Sequence, residues 1–179
     1  MAKRPDLPGQ IDSLRFVDMI LLRFSAIWAL LGFGAVFTIT MIHFSKGDLT
    51  LSPVFNGMAV GLGGALLGLG HSRYQYYLLE LDPGRYAGLY KRIKGGQGLF
   101  GGPVKGGLSI PPHPFRRVVV FSYIMGVLTF ILVIVLLWRQ ISAVSAVAYG
   151  MGGFYLARVV FWKKALALYK DQGISWEES

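Results

Sequence analysis

Four long stretches of this chain contain no Asp, Glu, Lys or Arg: residues 24–42, 49–72, 118–138 and 140–157. Each comes close to the roughly 20 residues that an α-helix needs to cross the hydrocarbon core of a bilayer. The chain has 179 residues and 54% hydrophobic content, above the apolar share of an ordinary soluble domain. The pattern predicts an all-α integral membrane protein with four transmembrane helices arranged as two hairpins. An N-terminal segment (1–23) leads to a first hairpin (24–72), a basic central loop (73–117), a second hairpin (118–162) and a tail (163–179).

The cations set the orientation. Lys3, Arg4, Arg15 and Arg23 precede the first span, and Arg73, Arg85, Lys91, Arg92, Lys94, Lys105, Arg116 and Arg117 fill the central loop. Arg158, Lys163, Lys164 and Lys170 follow the fourth, whereas the two short connections hold only Lys46 and Arg139. Positive residues stay on the cytoplasmic side, so both termini and the central loop are expected there, in a bacterial inner membrane. The formal charge of +9 reflects this asymmetry and is no argument for nucleic acid. Lys3 and Arg4 before an apolar run resemble a secretory signal, but the run is long, begins late and ends in no small-residue cleavage site, which favours an uncleaved first span. Cysteine is absent, which removes disulfides and thiolate metal sites from consideration.

Within the second run, Gly57, Gly61, Gly64 and Gly68 are spaced four, three and four apart and fall on one helical face. Ala143, Ala146, Gly150, Gly153 and Ala157 repeat that spacing in the fourth run. Small residues let helix backbones approach closely in lipid. The two stripes are expected either to meet within one subunit or to receive helices from partner subunits, and a homo-oligomer is a third option. The third run is rich in Val, Ile and Leu and suits lipid.

Outside the spans, Ile11, Leu14, Val17 and Leu21 recur at three and four. This fits a short interfacial helix, or a first span that begins early. Tyr74 to Leu79 extends the second helix to about Leu81, Asp82–Pro83–Gly84 makes a turn, and Arg85 to Lys94 forms a short basic helix. Residues 95–107 are dominated by glycine and can bury little surface, and Pro111, Pro112 and Pro114 stiffen the approach to the third span. The basic loop and Arg158 are candidate contacts for anionic lipid or an acidic partner, with nucleic acid disfavoured by their place at the membrane surface. Arg158 itself can snorkel to the headgroups.

No catalytic, cofactor or metal site emerges. The spans contain no Asp or Glu, which argues against a proton- or ion-coupled carrier. His43, His71 and His113 fall at different ends of the predicted topology, too scattered to hold a haem. Residues 96–101 spell G-x-G-x-x-G, but no strand precedes them and no acid follows until Asp171, so the nucleotide-binding context is missing. The expectation is a non-enzymatic subunit or assembly factor of a larger membrane complex. A small homo-oligomeric channel or carrier, and a membrane enzyme acting on lipid headgroups through Asp82 or His71, are the alternatives. In outline, two hairpins with a glycine-rich second span resemble the small accessory protein of rotary ATP synthases. The outline fits secretion, conjugation or respiratory assemblies equally, and the host complex stays open.

Overall fold

The computed structural model describes residues 9–47, 51–95, 121, 124–128, 131, 132, 135, 142–174 and 176, and the fold among them is all-helical. Helix α1 (Gln10–Phe16) continues through a π-helical segment (Val17–Arg23) into α2 (Phe24–Ser45). The backbone stays right-handed helical at both junctions, at Val17 and at Phe24. Residues five apart stack in π geometry, and Arg23 Nη2 donates to Asp18 Oδ2 across that spacing at 2.9 Å. The next elements are α3 (Leu51–Leu81), α4 (Pro83–Lys94) and α5 (Ala143–Asp171).

Local signals set the helix ends. Asp82 caps α4 by accepting from Arg85 N at 3.1 Å, with Pro83 at the first helical position, where its missing N–H costs nothing. Ser142 Oγ accepts from Ser145 N at 3.1 Å to start α5. That helix stops at Gly173, whose φ of +79° no β-carbon favours. There Gly173 N donates to Lys170 O and Ile174 N to Tyr169 O, the paired bonds of a Schellman motif.

Three helical runs are long and apolar enough to cross a membrane: Gln10–Ser45, Pro53–Leu81 and Ala143–Asp171. Their 36, 29 and 29 residues correspond to about 54, 44 and 44 Å at 1.5 Å per residue, well beyond a hydrocarbon core of about 30 Å. The distribution of burial says where the excess lies. Mid-helix apolar residues stand open, with Leu30 73%, Leu66 71% and Leu156 43% exposed. The closed apolar core instead joins Leu14, Phe16, Val17 and Leu21 with Leu79, Tyr86, Trp162, Ala165, Leu166 and Trp176. Such a reversal, exposed in the middle and buried at one end, is what lipid around the middle and water around the end require. The chain is an integral membrane protein by these features of length, composition and burial.

The face Leu14, Val17 and Leu21 therefore packs in this terminal core, while Ile11 remains exposed. Of the predicted third run 118–138, the described residues 121, 124–128, 131, 132 and 135 are helical. A β-carbon on Gly126 would meet Leu67 Cδ2 of α3 at 2.8 Å.

Helix α5 is the centre of the arrangement, packed against α3 and against α2. Gly57 meets Tyr149, Gly68 meets Phe154 and Gln75 bonds Arg158, so α3 and α5 run in the same direction. Trp28 stacks on Tyr155 and Gly32 meets Gly152, so α2 runs against them.

Candidate functional site

The α3–α5 seam is a contact of backbone on backbone. A β-carbon on Gly64 would fall on the carbonyl oxygen of Gly150 and 3.0 Å from its carbonyl carbon. One on Gly68 would meet the carbonyl group of Phe154 in the same way, and one on Gly153 would meet that of Gly61. Gly57 lies under the Tyr149 ring. Gly61 has more room, its β-carbon reaching Tyr149 O only at 3.5 Å. Of the fourth-run stripe, Ala146, Gly150 and Ala157 are buried, Gly153 is half-buried against Gly61, and Ala143 is half-buried at the helix start.

A second seam lies on the other side of α5. Ser145, Ala148 and Gly152 are buried, and a β-carbon on Gly32 of α2 would stand 2.8 Å from Gly152 Cα. The sequence carries a three-and-four spacing here too, over Ser145, Ala148 and Gly152. It interleaves with the more obvious stripe and is easily absorbed into it, and on α2 the matching residues are Ser25, Ala29 and Gly32, spaced four and three and all buried.

Arg158 lies where α5 leaves its apolar stretch. Its Nη2 donates to Gln75 Oε1 at 3.1 Å, and its guanidinium carbon lies 5.6 and 5.9 Å from the Phe154 and Tyr155 ring centres. His71 neighbours Phe154, with ring centres 5.9 Å apart. Gln75 joins two elements, because its backbone oxygen also accepts from Tyr86 Oη at 3.2 Å. Arg158 is thus tied across the α3–α5 seam and also faces two aromatic rings.

Past this level the helix ends build a small extramembrane body. Trp162 is fully buried beside Tyr76, whose ring is also near Phe161 and Tyr169. Phe16 packs on Tyr86 with ring centres 5.5 Å apart. Lys91 of α4 pairs with Asp12 of α1 at 3.4 Å, and Arg15 Nε donates to Trp176 O at 3.1 Å, which binds the chain's two ends together. Burial pushes the Tyr86 phenol up to about 12 against the opposing Arg85 charge.

Of the other predicted contact residues, Arg73, Arg85, Lys91 and Lys94 are exposed and Arg92 is half-buried. Arg116, Arg117, His113 and the G-x-G-x-x-G stretch lie outside the described residues. Asp82 is buried and acts as the α4 cap, and His43 is exposed at the far end of α2. Among the described residues no three His, Asp or Glu side chains gather where a metal could bind. No family model matches the chain, and neither a curated protein nor a solved structure does.

Proposed function

We propose that this chain is a non-catalytic subunit or assembly factor of a larger complex in a bacterial inner membrane, crossing it four times with both termini in the cytoplasm. The observation that carries the reading is the folded basic body at the ends of three membrane-length helices. The glycine seams are occupied within the subunit, leaving this body and the outer helix faces as surfaces for a partner. Apart from Arg15, Arg92, Asp12, Asp18 and Asp82, which are half-buried or buried, its described charges face outward and are mostly cations. An acidic partner segment at the cytoplasmic face is the complementary chemistry.

The direction of the helices supports the fourth crossing. Because α3 and α5 run the same way, the chain between them has to return over the length of a span before α5 begins. Residues 118–138 supply an apolar stretch long enough for the return. The cations on all three helices at the core end support a cytoplasmic location for it.

Extraction in a mild detergent followed by native mass measurement tests the reading. The expected result is a complex containing at least one other membrane protein, and a chain recovered alone at every detergent strength overturns it. Reconstitution of the purified chain for solute flux addresses the channel alternative, for which close backbone packing of α5 against both neighbours gives no support.

A further inference from the structure

We infer that the rim of cations where α3 and α5 leave the membrane is a selective contact for the phosphate headgroups of anionic phospholipids, carried by Arg73, Lys163 and Lys164. This goes beyond the subunit reading and does not depend on it. It also narrows the broad basic loop to three positions on two helices.

Position comes first. Arg73 follows directly on the uncharged stretch of α3, and Lys163 and Lys164 stand five and six residues past Arg158 on α5. At 1.5 Å per residue that is about 8–9 Å along the axis, near the outer edge of a headgroup layer about 5–7 Å deep. A lysine side chain can bend back over that distance. All three residues are exposed.

Charge comes second. No acid occurs in α3 before Glu80 or in α5 before Asp171, each about 10 Å along the helix from the rim cations. On the neighbouring helix Asp18 is engaged by Arg23 at 2.9 Å, and Asp12 lies near Arg15 and Lys91. The rim cations are therefore exposed without a nearby acid on their own helices, whereas Lys91 of α4 sits farther out. Lys91 pairs with Asp12, eleven residues before Arg23, or about 16 Å from the membrane exit. That exceeds a physiological Debye length of about 8 Å, so Lys91 contributes little to lipid choice.

The test uses the full chain reconstituted in phosphatidylcholine bilayers with spin-labelled phosphatidylglycerol or phosphatidylcholine, reading the fraction of motionally restricted lipid. The native chain is expected to restrict phosphatidylglycerol several-fold more strongly. This several-fold preference should fall toward one in Arg73→Gln/Lys163→Gln/Lys164→Gln and should persist in Lys91→Gln/Lys94→Gln. It should also collapse in the native chain at salt high enough to shorten the Debye length to about 3 Å. That measurement decides the matter if the triple variant fails to insert. No preference in the native chain, a preference indifferent to salt, or equal loss in the α4 variant overturns the inference. So does capture of an acidic peptide by the rim with no lipid preference. Failure of the native chain to enter bilayers would instead refute its membrane assignment.

Discussion

Gly64→Ala is the substitution that discriminates most sharply among roles for the glycine seam, because three other glycines provide controls with the same chemical change. The added methyl would lie 3.0 Å from the carbonyl carbon of Gly150 and 3.1 Å from its Cα. Ordinary carbon contacts begin near 3.5 Å, and the obstacle is backbone, so the helices have to part by about 0.5–1 Å. A gap of that size forfeits a quarter to a half of each dispersion contact along the seam, and overpacking of this kind costs about 1–3 kcal/mol. The same change at Gly61 brings the methyl to an unstrained 3.5 Å from Tyr149 O, and at Gly34 or Gly70 it meets nothing within 4 Å. Those three variants are expected to keep or gain stability, up to about 1 kcal/mol, through the higher helix propensity of alanine. Since propensity changes equally at every site, the difference between Gly64→Ala and Gly61→Ala isolates packing at about 1–3 kcal/mol. Reversible unfolding in mixed micelles with increasing dodecyl sulfate, followed by circular dichroism, reads it. If Gly64→Ala is as stable as Gly61→Ala and Gly70→Ala, the intrachain seam is refuted. If it leaves the subunit stable and releases a co-purifying protein, the stripe docks a partner helix.

Three further outcomes follow from the extramembrane body. Trp162→Ala empties the centre of the terminal core, where the side chain is fully buried. It is expected to cost about 3–5 kcal/mol, read as faster proteolysis across residues 73–94 while the membrane-embedded helices survive. Asp82→Ala removes the α4 cap at about 1 kcal/mol, visible as increased hydrogen exchange confined to the first turn of α4; Asp82→Asn should retain most of the protection. Tyr86 has a folded pKa of about 12, above the unfolded value of about 10. Its neutral form is the one the fold favours, so its contribution is complete below about pH 10 and is lost as pH rises toward 12. An alkaline titration should show tyrosinate absorbance from Tyr86 delayed, with loss of the terminal core in the same window. Titration of Tyr86 together with the less buried tyrosines, without delay, would contradict its burial.

Much of the membrane half was legible because hydrocarbon imposes a simple rule. A stretch of about 20 uncharged residues becomes a helix, and a three-and-four glycine spacing becomes a close-approach face. What the sequence could not convey was the partner of that face. Pairing depends on the relative direction of α3 and α5, which no local pattern encodes. Gly32 and Gly34 make the point within one turn of α2: the first lies on Gly152 and the second on nothing within 4 Å. The extramembrane half was legible as helix and ambiguous in role. Leu14, Val17 and Leu21 have the same periodicity whether the apolar face lies on a bilayer or in a core. Asp18 and Arg23 interrupt the hydropathy at the first span without interrupting the helix, and they pair with each other across the π-helical segment.

The two halves are held together by different forces. Between membrane-embedded helices the hydrophobic effect contributes little, since lipid is as apolar as the side chains, and cohesion rests on contact distance. The seam at Gly64 and Gly150 works only while the backbones touch. In the terminal body the drive is removal of Leu14, Val17 and Trp162 from water, and it acts on the same three helices a few turns further on. Gln75 stands at the junction, accepting from Arg158 with its side chain and from Tyr86 with its backbone. Gln75 thus links the start of α4 to the α3–α5 seam through two hydrogen bonds, although it lies outside both stripes and carries no charge.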